Sequence, residues 1–410
     1  MKNFLLALVL ITILACRKDN NAELDKNSSV FWTHFISAQK GDKTVDLWLT
    51  NPLPFSEFAQ PVKSPKFLEI YYGSDSSALK FYKKVDIDVD KVTFTNLVNN
   101  TVYYFAVKTY GGKKLVFADT VRTTPSAPVE LSEIATGQPL PYRPMFSNNN
   151  KFLSYVQNSD LYVKNVGNNT VVKTEYANDG IGWSHLSNKF IYGSTITVSN
   201  IPYFNKLKIY DADKNTDDVI ADINYAAYGL GGVTFSKDDK TLYLNTSEGR
   251  TDKLFMDIWM INLDTKVKTK ISNFASSQFY PAGKIMAGAD GKSILLEGGY
   301  NLAPSWSKPR SIYRYNLETE QLQIAIKSTG YDALFAESPD GKHIAFASNW
   351  SGRSRSDLWL LNTTNKSLKL LTSVPWDFGL WGTGFTWIDN TSISIILNAN
   401  GELKLFKAKI

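Results

Sequence analysis

Tyr331-Asp332-Ala333-Leu334-Phe335-Ala336-Glu337-Ser338-Pro339-Asp340-Gly341-Lys342-His343-Ile344-Ala345-Phe346-Ala347-Ser348 sets two apolar runs on either side of a chemically specified reversal. Pro339 presets φ and Gly341 takes a left-handed position, so the segment predicts strand, tight turn, strand. After a loop the chain continues Asp357-Leu358-Trp359-Leu360-Leu361-Asn362, then Leu368-Lys369-Leu370-Leu371-Thr372. These read as a third strand, a short turn and a fourth strand.

The same unit recurs from Val129 onward with a period of roughly 40–50 residues, the signature of a repeat architecture. Val233-Thr234-Phe235-Ser236-Lys237-Asp238-Asp239-Lys240-Thr241-Leu242-Tyr243-Leu244 leads to Asp257-Ile258-Trp259. Met286-Ala287-Gly288-Ala289-Asp290-Gly291-Lys292-Ser293-Ile294 leads to Ser311-Ile312-Tyr313. Pro144-Met145-Phe146-Ser147 and Trp183-Ser184-His185-Leu186-Ser187-Asn188 open two more, with Asp160-Leu161-Tyr162 and Leu207-Lys208-Ile209 as their third strands. The last copy, from Gly384-Phe385-Thr386-Trp387, reaches Ile410 after only three strands. Val129–Ala135 has strand character, and by pairing with Leu403–Ala408 it would supply the fourth. That pairing closes a ring and removes two exposed sheet edges. Six copies closed in this way resemble the TolB-type six-bladed β-propeller, including its Ser-Pro-Asp-Gly-Lys and Asp-Leu-Trp signatures. The resemblance covers residues 126–410.

Residues 30–125 read as short alternating strands, among them Val45-Asp46-Leu47-Trp48-Leu49, Phe67–Tyr72 and Val92-Thr93-Phe94. Leu97, Asn99, Thr101, Tyr103, Phe105 and Val107 fall on alternate positions. This segment resembles the E–F region of fibronectin type III domains. The resemblance implies that Tyr103 is a tyrosine corner, its hydroxyl bonded to backbone upstream. Trp48 is the loose match to the core tryptophan of such sandwiches. Pro125-Ser126-Ala127-Pro128 then reads as a stiff linker. The fold class expected is all-β, a fibronectin type III-like sandwich followed by a six-bladed TolB-like propeller.

Cys16 is the only cysteine. Lys2, the apolar run Phe4–Leu14 and Ala15 before the thiol form a secretory signal too short to span a bilayer. Ile13-Leu14-Ala15-Cys16 resembles the lipobox of bacterial lipoproteins, which implies cleavage of residues 1–15 and acylation of Cys16. Residues 16–29 then form a polar tether whose Lys18-Asp19 pair loosely resembles the export tag of Bacteroidetes surface lipoproteins. The localisation expected is the cell envelope, most naturally the outer membrane, with the periplasmic and surface faces both open. The net charge of +6 falls to about +5 once Lys2 is removed, and no Lys/Arg block marks a nucleic-acid track.

In propellers of this type, ligands meet the loops between blades and those joining second to third strands. The resemblance therefore points to Tyr142, Arg143, Trp183, Tyr228, Tyr280, Tyr331, Asp332 and Trp381, with Arg250, Trp306, Trp350, Arg353 and Arg355 from the second set. Aromatic faces suit the C–H surface of sugars or peptides, and Arg forks take carboxylates. Packing between blades is the competing use of any one of these rings. Catalytic machinery is harder to assemble. Of three histidines, His34 lies in the sandwich, while His185 and His343 fall in turns and are expected to be solvated. No HExxH or CxxC spacing offers a metal site, no cofactor motif appears, and no pair stands out among Asp332, Asp377 and Glu297. The expectation is a non-catalytic protein that binds a protein or glycan partner. A carboxylate-dependent enzyme on polysaccharide or peptide, and an envelope assembly factor like TolB, are the alternatives.

Overall fold

The computed structural model describes residues 36–49, 67–86, 89–111, 114–127, 129–134, 142–157, 160–176, 182–198, 201–226, 230–246, 256–274, 279–300, 311–327, 332–348, 357–372, 385–399 and 402–410. Every regular element among them is a strand, and among these residues no helix is long and apolar enough to cross a membrane. The expected signal segment and Cys16 lie outside the described residues.

Among the described residues seven strands form the N-terminal part: β1 (Ile36–Gly41), β2 (Thr44–Leu49), β3 (Phe67–Gly73), β4 (Lys80–Asp86), β5 (Lys91–Phe94), β6 (Tyr103–Gly111) and β7 (Lys114–Thr123). They pair antiparallel as two sheets, β1-β2-β5 and β4-β3-β6-β7. Alternation puts Val45, Leu47, Leu68, Ile70, Phe94, Phe105 and Val121 into one core between them. The same alternation corrects the expectation for Trp48. Val45, Leu47 and Leu49 take the inward positions of β2, so Trp48 must face out, where it is 42 % exposed beneath the Lys91 ammonium. Tyr103 behaves as expected: its hydroxyl accepts the Val98 N–H at 3.1 Å. The alternating run does not begin a strand at Leu97, however. Asn96 and Asn100 take positive φ, and the strand starts at Tyr103.

Six four-stranded antiparallel sheets follow in chain order. Their first strands are Tyr142–Phe146, Gly182–Trp183, Leu230–Phe235, Phe279–Ala287, Asp332–Glu337 and Phe385–Asp389. The sixth sheet takes its fourth strand from β8 (Leu131–Glu133), which pairs Leu131 with Ala408 and Glu133 with Phe406 as the sequence predicts. Six apolar cores join neighbours. Phe152 and Leu161 meet Phe190 and Tyr192; Ile191 and Leu207 meet Phe235 and Leu244; Tyr243 and Ile258 meet Phe279 and Leu296. Leu295 and Ile312 meet Phe335 and Trp359; Leu358 and Leu371 meet Phe385 and Ile393; and Leu405 of the sixth sheet meets Leu153 and Tyr155 of the first. The ring is closed.

Two local rules repeat around it. In five sheets the third strand ends on Asn or Asp (Asn165, Asp211, Asn262, Asn316, Asn362), whose Oδ1 accepts the N–H groups two and three residues on. Four residues on, the backbone turns left-handed at Asn169, Asn215, Lys266, Glu320 and Lys366. Only asparagine tolerates that region readily among these. The second rule concerns the Asp of the Asp-Leu-Trp signature. Asp160 pairs with Lys173 at 2.7 Å, and buried Asp257 pairs with Lys270 at 2.6 Å while accepting the Phe274 N–H at 2.8 Å. Both lysines sit on the fourth strand, opposite Tyr162 and Trp259.

In the fifth sheet the corresponding position, opposite Trp359, is Leu370. The cation comes instead from the sandwich. Lys40 of β1 donates to Leu370 O at 2.8 Å, Leu371 O at 3.1 Å and Ser126 Oγ at 2.7 Å, and Ser126 in turn donates to Leu370 O at 3.0 Å. The linker is stiff because it is docked: Thr123, Thr124 and Ser126 are buried, and Pro125 O accepts the Asn100 N–H. Burial draws the Lys40 pKa from 10.5 down to about 8, against the opposing pull of the Asp357 charge.

Two outcomes are expected. The unfolded chain holds the Lys40 proton to about pH 10.5 and the folded chain releases it near 8, so the unfolded state binds more protons in that window. Urea unfolding from pH 7 to 10 should therefore show wild type gaining on Lys40→Met by up to about 3 kcal/mol above pH 8, with no gain below it. Lys268, also lowered to about 8 by burial, titrates alike in both proteins and cancels. Parallel profiles would mean a solvated ammonium. Separately, Lys366→Gly should raise the unfolding free energy by about 0.5–1 kcal/mol by relieving the left-handed strain, and Lys366→Val should lower it.

Candidate functional site

The first strands neighbour one another around the ring, as between the second and third, third and fourth, and sixth and first sheets. The turns that leave them therefore gather at one mouth. Four of these turns share a chemistry, with positive φ at Asn150, Asp239, Gly291 and Gly341. In three, a serine hydroxyl closes the loop: Ser147, Ser236 and Ser338 each accept the N–H five residues on at 3.0–3.1 Å.

Each turn also holds the next. The Asn148 amide donates to His185 O, and Asp239 accepts the N–H groups of His185 (2.8 Å) and Leu186 (2.9 Å) and the Ser184 hydroxyl. A Cβ placed on Gly291 would lie 3.6 Å from Lys237 Cβ, and one on Gly341 only 3.2 Å from Ala289 Cβ. Glu337 accepts the Ala289 N–H at 2.7 Å and pairs with Arg314, which also donates to Ser293 Oγ at 2.7 Å. Asn390 accepts the Asp340 N–H at 3.1 Å, and the Asn150 amide donates to Ile388 O at 3.3 Å. All six junctions are thus occupied by contacts between neighbours.

This arrangement corrects the expectation of solvated histidines. His185 is half-buried between the second and third turns, and burial, reinforced by the Lys237 charge, holds its pKa below the ordinary value. His343 is half-buried against the Trp387 ring, at 6.2 Å between centroids. The neighbouring turn, invisible in a local reading, covers each of them.

Strand direction puts the opening residues of the first strands at the opposite mouth. Tyr142, Arg143 and Asp332 occupy the opening positions of first strands, with their side chains outside the described residues. Tyr280 is half-buried in the second position of its strand. Trp183 is a packing residue: 8 % exposed, it stacks near Phe152 and Phe190, and its indole N–H donates to Met145 O and Ser154 Oγ, both at 3.0 Å. Tyr228, Trp306, Tyr331, Trp350, Arg353 and Trp381 lie outside the described residues, as do Arg250, Arg355 and Asp377. Glu297 is buried in the second strand of the fourth sheet. Among the described residues no group of three or more His, Cys, Asp or Glu could hold a metal ion. The residues that sequence reasoning missed are Asp239, Arg314, Glu337 and Lys40; their partners lie in other repeats or in the sandwich, so no local motif marks them.

No protein-family profile matches this sequence, and no curated protein does. Solved structures similar to it include a putative TolB from Agrobacterium tumefaciens, 15 % identical over 69 % of this chain and 97 % of that one, with a TM-score of 0.48. An oligogalacturonate lyase from Vibrio parahaemolyticus is 14 % identical over 76 % and 86 %, with a TM-score of 0.47. The β-propeller domain of the Trilobed protease from Pyrococcus furiosus is 11 % identical over 92 % and 94 %, with a TM-score of 0.44. These are likenesses of chain path; the propeller character of this chain rests on its own sheet order, shared cores and closing strand.

Proposed function

We propose that this chain is a lipid-anchored envelope protein that holds a protein or glycan partner at the upper mouth of a six-bladed, TolB-like propeller. A fibronectin type III-like sandwich serves as its mount. The observation that carries this reading is that one of the two mouths is filled by its own turns. At the lower one the turns bond to one another around the ring. The upper mouth receives the long second-to-third connections, with Trp306, Trp350 and Arg353 in the sequence there. Loops on a rigid scaffold are where binding residues concentrate.

Other features agree with it. The sandwich has sheets β1-β2-β5 and β4-β3-β6-β7 and a Tyr103 hydroxyl bonded to backbone five residues upstream, as a fibronectin type III-like domain requires. The Lys40 joint makes it a stiff mount rather than a loose spacer. The buried carboxylates Asp257 and Glu337 are engaged in ion pairs and backbone hydrogen bonds that serve the architecture.

Two experiments test the reading. Cys16→Ser should move the protein from the membrane to the soluble fraction of cells; continued need for detergent would refute the anchor. The soluble Cys16→Ser protein, screened against envelope proteins and a glycan array, should give a partner whose affinity falls about tenfold or more with Trp350→Ala or Arg353→Ala. A partner indifferent to both changes would place binding elsewhere.

A further inference from the structure

The outer face of the four-stranded sandwich sheet carries a charge arrangement that the upper-mouth reading does not use. On β3, Phe67, Glu69 and Tyr71 alternate with the core residues Leu68 and Ile70. Register sets Lys84 of β4 and Lys108 of β6 on either side of Glu69, and Phe81 beside Tyr71. Opposite charges so placed across strands ordinarily attract one another. Here they are held apart. Glu69 accepts the Tyr71 hydroxyl at 2.8 Å. Lys84 Nζ stands 3.1 Å from the centre of the Phe67 ring, and Lys108 Nζ 4.7 Å from that of Tyr71. Among the described residues neither ammonium has a carboxylate within salt-bridge distance. Register puts Lys80 opposite Tyr72 and Lys83 opposite Ile70, so both belong to the core side of the sheet, while Asp86 stands opposite Phe67 at the rim of this face. Phe81, 57 % exposed, is steadied edge-on by Tyr71 with 5.7 Å between ring centres.

We propose that this face is a second binding site, for an acidic glycan bearing uronate or sulfate groups. Lys84 and Lys108 flank the central strand, so their backbones are two strand spacings, or about 10 Å, apart. An ammonium seated over a ring is already positioned, so less side-chain ordering opposes anion binding. Periodic acidic groups on a saccharide chain meet the two cations, and a sugar ring lays its C–H face on Phe81. A lipid surface would be met by bare apolar rings; the Phe67 and Tyr71 rings each carry an ammonium.

The test is titration of the Cys16→Ser chain with galacturonan oligomers, heparin-derived oligosaccharides and neutral maltohexaose, and co-sedimentation with vesicles of phosphatidylglycerol and phosphatidylcholine. Binding is expected for the acidic oligosaccharides alone, weakening with salt. Lys84→Gln with Lys108→Gln should lower it about tenfold or more, Lys84→Arg with Lys108→Arg should retain it, and Phe81→Ala should weaken it several-fold. Melting temperatures matched to wild type establish that the variants fold. Trp350→Ala should leave this binding unchanged, which separates it from the upper mouth. Absence of binding, binding indifferent to the paired Gln changes, or vesicle binding without glycan binding would each overturn the proposal.

Discussion

Three residue pairs, Leu131 with Ala408, Ser132 with Lys407 and Glu133 with Phe406, hold the ring shut. Without them the sixth sheet would end on the strand Glu402–Lys409 with its edge unpaired. So short a ladder does not act alone. Its backbone bonds continue on both sides, Ile134 N–H to Leu405 O at 2.8 Å and Lys409 N–H to Glu130 O at 3.1 Å. Beside it Leu153, Tyr155 and Leu405 form the core between sixth and first sheets. Each such side chain contributes about 1.5–3 kcal/mol on burial, so the apolar contact outweighs the ladder and the ladder fixes its register.

The other junctions obey the same division. Apolar cores supply the energy between sheets, while the turns at the lower mouth set their relative position by named polar contacts. Arg314 and Glu337 show the cost of that device. Glu337 is almost wholly buried, so its pairing mainly offsets desolvation and its contribution is to geometry. The Lys40 joint has the same character on a larger scale. A lysine missing from the fifth sheet is replaced by one from another part of the chain, and the site remains compatible with a charge only because three oxygens surround it.

The sequence was most informative where local chemistry dictates conformation. Gly341 sits at φ +72° in the turn that Pro339 and Asp340 announce, and the closing strand was legible from an incomplete final repeat. It was least informative where a residue's role depends on a distant neighbour. His185 and His343 looked like surface turn residues because the adjacent turn belongs to another repeat. Trp48 matches the core tryptophan of fibronectin type III sandwiches only loosely, and the alternation of Val45, Leu47 and Leu49 turns it outward. Asn165, Asn262, Asn316 and Asn362 form a recurring turn, yet asparagine at a strand end is too common to stand out. Among the candidate binding residues, Trp183 shows how an aromatic at a sheet opening can belong to the core.

The closing strand also dictates an order of assembly. Glu133 and its partner Lys404 are 271 residues apart in the chain. A polypeptide emerging from its N-terminus presents β8 long before any strand that can receive it. The sandwich, whose pairings are all internal, can form first. The six sheets must then accumulate as an open arc with an unsatisfied edge at each end, a form prone to aggregation. Completion of the ring is then the last event of folding, and the open arc before it is the form a chaperone would have to protect.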